Sequence, residues 1–168
     1  MDANQPDEPR QRSDRIIDRL LADFDARHTT LINRAVQFLA VPLLLWSGFA
    51  VLKSLPVPAA LAIVPGLDWS LLALLAIGLF YAALSWRLGA AMAAVSLVLL
   101  MIAAYYAHDD ALPLWQPAIV FLGLGALLWL VGRRVEGRPR HLREVFLDLL
   151  MAPAWVLAQV LRLTRIGY

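Results

Sequence analysis

The chain has 168 residues, of which 61% are hydrophobic and only 17% are charged. Soluble domains carry roughly 25% charged residues, and the mean hydropathy of +0.66 excludes water as the main solvent of this fold. The net charge is +2 and cysteine is absent, which excludes disulfides, thiolate nucleophiles and zinc-thiolate sites. The length allows one domain of about four membrane spans and leaves no room for a separate soluble enzyme.

The N-terminal region divides into a tail and a helix. Residues 1–12 mix acidic and basic side chains with two prolines, which predicts a disordered tail. Ser13 is a typical N-cap, and apolar residues then recur at helical spacing opposite charged ones. This pattern predicts an amphipathic helix over about residues 14–27, lying on a membrane surface or against a helix bundle.

Four apolar segments follow, and each is long enough to cross a membrane. They predict spans over about residues 35–52, 69–86, 88–106 and 114–131. Pro42 predicts a kink in the first span, and residues 53–68, with three prolines and a glycine, predict an interfacial or partly re-entrant connection. Small residues in the third span predict a close packing seam between helices. These residues are Gly89, Ala90, Ala93, Ala94 and Ser96.

The last segment alternates apolar and polar residues and predicts an interfacial helix over about residues 143–163. Pro153 predicts a break near its middle, and insertion of the part after Pro153 stays open. The six tryptophans are predicted to be interface anchors. The sequence therefore predicts an all-α integral membrane bundle of four transmembrane helices, with an N-terminal amphipathic helix and a C-terminal interfacial helix in one domain, residues 13–168.

The basic residues predict the orientation of these spans. Six arginines precede the first span, Arg87 lies between the second and third, and seven arginines follow the fourth. The two remaining loops contain only Lys53. Because Lys and Arg are retained on the cytoplasmic side, both termini are predicted to be cytoplasmic. A composition rich in arginine and alanine favours a bacterial source, hence the bacterial inner membrane.

This topology limits any metal site. His28 and His141 are predicted to face the cytoplasm, whereas His108 lies in an outer loop, about 30 Å of hydrocarbon away. The middle of each predicted span lacks Asp, Glu, Lys and Arg, and such intramembrane charges are what ion pathways and proton relays require. Secondary transport and ion conduction by a single chain are therefore disfavoured. A pore formed by an oligomer remains an alternative.

Two cytoplasmic-side passages carry a motif pattern. The first, HTTLINRAVQFLAVPLLLWS, contains His28, Asn33, Gln37 and Pro42, and the second, WLVGRRVEGRPRHLRE, contains Gly132, Arg133, Glu136 and Arg138. Together they resemble the small membrane proteins grouped with the yeast iron-dependent 2-hydroxy fatty acid dioxygenase, a family long described in bacteria as a domain of unknown function. The resemblance extends over about residues 20–165.

The resemblance implies an activity and a metal. Family members oxidise 2-hydroxy fatty acids with iron(II) and molecular oxygen, in fatty acid alpha-oxidation, and histidines are thought to hold the iron. His28 matches the first family histidine, but Gln37 and Arg133 stand where two others belong. The resemblance leaves His141 as a nearby substitute ligand, with Glu136 or Asp25 adding oxygen ligands.

Two hypotheses from different classes follow. One is an iron(II)-dependent dioxygenase with its site at His28. The other is a family member that has lost the metal and binds membrane lipid, with Arg133, Arg134 and Arg138 gripping anionic headgroups or a fatty acid carboxylate. A structural membrane protein or a partner for other helices is a third interpretation, and no nucleic acid partner is expected.

Overall fold

The structure is a computed structural model that describes residues 8–27, 30–108, 112–135 and 142–163. These ranges are helical except for short connections, and they contain no strand. The helices are α1 (Glu8–Arg27), α2 (Leu31–Ser54), α3 (Ala59–Ala62), α4 (Trp69–Leu84), α5 (Trp86–Ala107), α6 (Trp115–Val135) and α7 (Leu142–Leu163). The predicted all-α fold is confirmed.

In the part of the chain that the structure describes, three helices, not four, are long and apolar enough to cross a membrane. They are α2, α5 and α6, with 24, 22 and 21 residues. Helix α4 has 16 residues, which gives a length of about 24 Å, less than the roughly 30 Å of a hydrocarbon core. It ends at Leu84 because Ser85 has an extended backbone, with φ −157° and ψ 125°.

The three long helices bury little of their surface within the protein. Of their most apolar windows, 39% of α2, 28% of α5 and 22% of α6 is buried. Large apolar side chains therefore lie exposed along these helices. Monomeric soluble proteins rarely expose an apolar surface of this extent, so the outer face of the bundle is suited to an apolar environment.

Two predictions, about the start of α1 and about the continuity of α7, are corrected. Helix α1 begins at Glu8, so residues 8–12 belong to the helix and not to the tail, whereas residues 1–7 lie outside the described ranges. Helix α7 continues through Pro153, where a break was predicted. The residues around the proline are buried against other helices, and the Tyr81 hydroxyl of α4 donates a hydrogen bond to the Leu150 carbonyl oxygen. This packing keeps the proline-containing helix continuous.

Helix α6 packs antiparallel to α2 through small residues spaced by two helical turns. Ala118, Gly125 and Gly132 are all buried, and they lie seven residues apart. A Cβ atom at Gly125 would lie 3.0 Å from the Leu44 side chain, and one at Gly132 would lie 2.5 Å from Asn33 Oδ1. The backbones therefore approach so closely that only small residues fit. This seam was not predicted from the sequence.

A second close contact joins α4 to α5 and supports the seam predicted from the third span. A Cβ atom at Gly89 would lie 2.5 Å from both Cα and N of Ala82, and one at Gly78 would lie 3.7 Å from Ala93 Cβ. Because Ser85 alone connects the two helices, they run antiparallel from this tight turn.

The helices α1 and α7 cover one end of the bundle. We call it the arginine end, because Arg34, Arg87, Arg133 and Arg134 lie there, where α2 and α5 begin and α6 ends. A core cluster at this end joins α1, α2, α4, α5 and α7. A second cluster, nearer the opposite end, joins α2, α5 and α6 through residues such as Trp46 and Ala118.

An ion pair closes the connection between α2 and α4 at the opposite end. Lys53 Nζ donates to Asp68 Oδ2 at 2.9 Å, and Asp68 Oδ1 caps α4 by accepting from the Leu71 backbone N–H at 2.9 Å. Partial burial raises the pKa of Asp68, but hydrogen bonds from Ser70, Lys53 and Leu71 outweigh it and hold the pKa below its usual value. The folded state thus favours the ionised carboxyl.

A matched pair of glycine substitutions tests the α4–α5 contact. We expect Gly89→Ala to lower the free energy of unfolding by about 1–3 kcal/mol or more, because the new Cβ would overlap the Ala82 backbone. Gly123→Ala is the control, since nothing lies within 4 Å of a Cβ there and alanine favours a helix. Thermal unfolding in detergent micelles measures both, and equal effects would contradict this packing.

The Lys53–Asp68 pair predicts a dependence of stability on pH. Because the folded pKa of Asp68 is lowered, its charge stabilises the fold above pH about 4 and this contribution is lost as the pH falls below that value. Asp68→Asn keeps an N-cap side chain and should reduce the free energy of unfolding at neutral pH by about 1 kcal/mol. Denaturation at neutral and acidic pH checks this, and a difference that does not shrink in acid would refute it.

Candidate functional site

Three residues of the two motif passages, Asn33, Gln37 and Gly132, converge near the arginine end. Asn33 and Gln37 lie one turn apart on α2 and are both fully buried, and Gly132 of α6 lies directly against Asn33. Thr30 sets this register, because its Oγ1 caps α2 by accepting from the Asn33 backbone N–H at 3.4 Å. Pro42 is separate, since it is exposed and lines a different groove with Trp46.

The two buried amides have unused hydrogen-bonding capacity. Nδ2 and Oδ1 of Asn33 and Nε2 and Oε1 of Gln37 have no hydrogen-bond partner among the described residues. A buried polar group left without a partner costs about 1–3 kcal/mol. Four such atoms on one helix face mark this place as a site that favours a polar group.

An apolar groove continues from the amides along the same face of α2. Val41 lies one turn after Gln37 and is the first α2 residue of this groove. The groove has a volume of about 270 Å³ between α2, α6 and α7. It is lined by Val41, Leu44, Leu45, Leu122, Trp129, Leu149, Ala152 and Pro153. We call it the apolar groove.

Trp129 joins this groove to a positive charge. The Trp129 ring lines the groove, and Arg133 Cζ lies 4.8 Å from the centre of that ring, within cation–π range. Trp129 Nε1 is buried and has no hydrogen-bond partner in the described part of the chain. The four-residue spacing of Trp129 and Arg133 places them on one helix face, a signal that the sequence analysis missed.

Two other arginines at this end differ from Arg133. Arg134 is exposed beside it. Arg87 Cζ lies 6.0 Å from the centre of the Trp86 ring, but Trp86 is 64% exposed and does not line the apolar groove. Of these three described arginines, Arg133 is therefore the one that connects to the groove.

Asp25 fixes α7, which lines the apolar groove, to α1 and α2. Its Oδ1 atom accepts from Arg34 Nη2 at 3.0 Å and from Trp155 Nε1 at 3.2 Å, so one carboxylate links α1, α2 and α7. Trp155 is only 2% exposed, and its ring packs against Phe24 and Phe38 at 5.5 and 5.7 Å. Trp155 is thus a core residue and not the interface anchor that the sequence predicts, and Trp46, 8% exposed, is another.

The predicted metal ligands receive no support from the described residues. His28, Glu136 and His141, like Arg138 of the predicted lipid contacts, lie outside the described ranges. Within those ranges no three His, Cys, Asp or Glu side chains are placed to hold a metal ion. At the two replaced positions, Gln37 offers a neutral amide and Arg133 a cation, which has no lone pair to donate. These two residues do not fit an iron site.

Comparisons of the chain with protein-family models, curated proteins and solved structures give no match. The site therefore has to be interpreted from its own geometry. That geometry combines two buried amides, an apolar groove and an arginine over the tryptophan at the groove wall.

Two aspartates on α1 provide a test of the link between α1, α2 and α7. Asp25 and Asp18 line the same cavity of about 280 Å³ between α1 and α7, but Asp25 bonds to both Arg34 and Trp155. We expect Asp25→Ala to destabilise the protein by about 1–3 kcal/mol, since the buried indole N–H loses its acceptor, and to speed proteolysis of α1. Asp18→Ala, at an exposed position, should change either measurement little. Comparable effects of the two substitutions would contradict a linking role for Asp25.

Proposed function

We propose that the protein is an integral membrane protein that binds an acidic single-chain lipid at the arginine end of its helix bundle. One observation carries this proposal: Trp129 lines the apolar groove and also lies under the guanidinium of Arg133. An acyl chain in the groove would thereby bring its anionic head to a fixed cation.

The exposed apolar faces of α2, α5 and α6 support placement in a bilayer. Helix α4 then acts as a fourth, short span, because it runs from the Lys53–Asp68 pair to the tight turn at Ser85. All described arginines of the spans lie at one end, while Lys53 at the other is paired with Asp68. By the positive-inside rule, the arginine end faces the cytoplasm, and a bacterial inner membrane is the membrane we propose.

Charge and shape define the ligand class. A guanidinium pairs with a carboxylate or phosphate through two parallel hydrogen bonds, and Arg134 next to Arg133 adds attraction of about 1 kcal/mol toward an anionic surface. The groove volume of about 270 Å³ is below the roughly 300–1,000 Å³ of pockets that enclose drug-sized ligands. It therefore suits one chain and not two.

The residues at the two replaced positions do not favour oxygenase activity. The activity that the resemblance implies would need imidazole or carboxylate ligands around iron. A neutral buried amide at Gln37 and a stacked cation at Arg133 supply neither.

Matched arginine substitutions test the lipid site. The protein is delipidated in a non-ionic detergent and titrated with oleate or with oleyl alcohol, and binding is measured by native mass spectrometry and tryptophan fluorescence. We expect preferential binding of oleate, and we expect Arg133→Gln to weaken it about tenfold to a hundredfold, the equivalent of a lost charged hydrogen bond.

Arg87→Gln is the control for this experiment. It removes the same charge from the same end, and also from a tryptophan face, but away from the apolar groove. Its oleate affinity should stay within about twofold of the wild type. Equal losses for the two variants, or equal affinity of the wild type for oleate and oleyl alcohol, would refute the proposed site.

A further inference from the structure

We propose that a second groove, between α2, α5 and α6, binds the ring of a quinol, a flat apolar molecule with a hydroxyl group on each of two opposite edges. This inference rests on the proposed placement of these helices in a bilayer and not on the lipid site at Arg133. The two grooves share no lining residue, so either site can exist without the other.

Aromatic side chains form much of the wall of this second groove. Its volume is about 360 Å³, which lies within the roughly 300–1,000 Å³ of ligand pockets. Phe38, Trp46, Tyr106 and Phe121 line it, and the Trp46 ring lies edge to face with those of Tyr106 and Phe121, at 6.0 and 5.4 Å. We call it the aromatic groove. Aromatic walls of this kind suit a flat ring, which can stack on them or meet their edges.

The aromatic groove contains a hydrogen-bond donor without a partner. Trp46 is only 8% exposed, and its Nε1 atom has no hydrogen-bond partner among the described residues. Trp46 lies eight residues before the end of α2, about 12 Å along the axis, so it lies within the hydrocarbon, where no water is present to accept from it. The groove therefore favours a ligand that carries an acceptor.

Pro42 adds an acceptor to the same groove. Phe38, Pro42 and Trp46 follow one another at four-residue intervals and all line the groove, so they form one stripe on α2. In a regular helix the Phe38 carbonyl oxygen would accept from the backbone N–H of residue 42, but proline has no N–H. This oxygen lies beside the exposed proline ring without its helical donor. A ligand that also donates a hydrogen bond can satisfy it.

The arrangement of these two groups selects among uncharged ligands. No charged side chain lines the groove, so an ion would lie there without a counter-charge. Residues 38 and 46 are about 12 Å apart along the helix axis, which favours oxygens on two opposite edges of a ring over a single hydroxyl. A quinone carries two acceptors and no donor, whereas each quinol hydroxyl both donates and accepts. A quinol therefore fits both groups.

Entry of the ligand requires a local movement. The Trp46 N–H is closed to solvent, so a ligand reaches it only after a side chain of the groove moves. Tyr106 packs on Trp46 near the end of α5 and is 50% exposed. Rotation of the Tyr106 ring toward the membrane would open the groove beside the indole.

Three compounds with the same fused ring test the inference. Methylnaphthalene has no oxygen, menadione has two carbonyl groups and menadiol has two hydroxyl groups. Each is dialysed to equilibrium, without oxygen, between the full-length protein in non-ionic detergent and protein-free micelles of the same detergent. We expect menadione to bind more tightly than methylnaphthalene, and menadiol more tightly than menadione, each by about threefold to tenfold, the ratio that corresponds to one hydrogen bond.

Two substitutions assign the two steps in affinity. Trp46→Phe keeps an aromatic ring and removes the N–H, so it should abolish the advantage of menadione over methylnaphthalene. Pro42→Ala supplies an N–H to the Phe38 carbonyl oxygen, so it should abolish the advantage of menadiol over menadione. Trp115→Phe is the control, since Trp115 is 51% exposed and does not line the aromatic groove. It should leave all three affinities unchanged.

Each contrary outcome overturns the quinol site. Equal wild-type binding of menadione and methylnaphthalene would exclude the indole as a donor to the ligand, and equal binding of menadiol and menadione would exclude the carbonyl as an acceptor. An equal loss for all three compounds in Trp46→Phe would show that Trp46 only packs. Displacement of menadiol by oleyl alcohol would identify the groove as an acyl-chain site. The wild-type order of affinities decides the question even if a variant fails to fold, and loss of oleate binding at Arg133 leaves it unaffected.

Discussion

The close packing of α6 on α2 is the contact on which the rest of the site depends. Small residues at positions 118, 125 and 132 let the two backbones approach, and Gly132 then lies directly against the Asn33 side chain. This register fixes the positions of Trp129 and Arg133 on α6 relative to Gln37 on α2, measured along the helix axes. Because helices are stiff and side chains repeat every turn, a single small residue near the end of α6 aligns a tryptophan, a cation and two amides at one end of the bundle.

At the arginine end, burial of the two amides costs free energy, whereas Arg133 lies beside the apolar groove. Membrane interiors offer no water to satisfy amide groups, so polar residues inside them are retained mainly for function. Here the unpartnered amides lie beside a groove that is otherwise apolar, and the cation rests on the groove wall. Leucine at these positions would avoid the cost of burying amides without partners, so packing alone does not account for Asn33 and Gln37.

Helices α1 and α7 pack over the arginine end of the bundle. Neither is among the helices long and apolar enough to cross a membrane, yet both contribute to the core cluster at the arginine end. Asp25 joins them to α2 through two hydrogen bonds. The short helix α4 is joined to α7 by the hydrogen bond that the Tyr81 hydroxyl donates to the Leu150 carbonyl oxygen. The arginine end is thus a packed layer of five helices, while at the opposite end the Lys53–Asp68 ion pair holds the connection between α2 and α4.

The helices could be predicted from the sequence, since hydropathy and helical periodicity depend only on neighbours along the chain. The prediction placed α2, α5 and α6 to within a few residues and put all but one basic residue on the same side. It was wrong where packing overrides local preference, as at Pro153, which buried neighbours keep within a helix. It also overestimated α4, whose end depends on the extended backbone of Ser85. The contact of Gly132 with Asn33 and the burial of Trp155 against Phe24 and Phe38 follow from the three-dimensional packing alone. Contacts between distant segments depend on how helix faces pair, and many small or apolar residues fit the same periodicity.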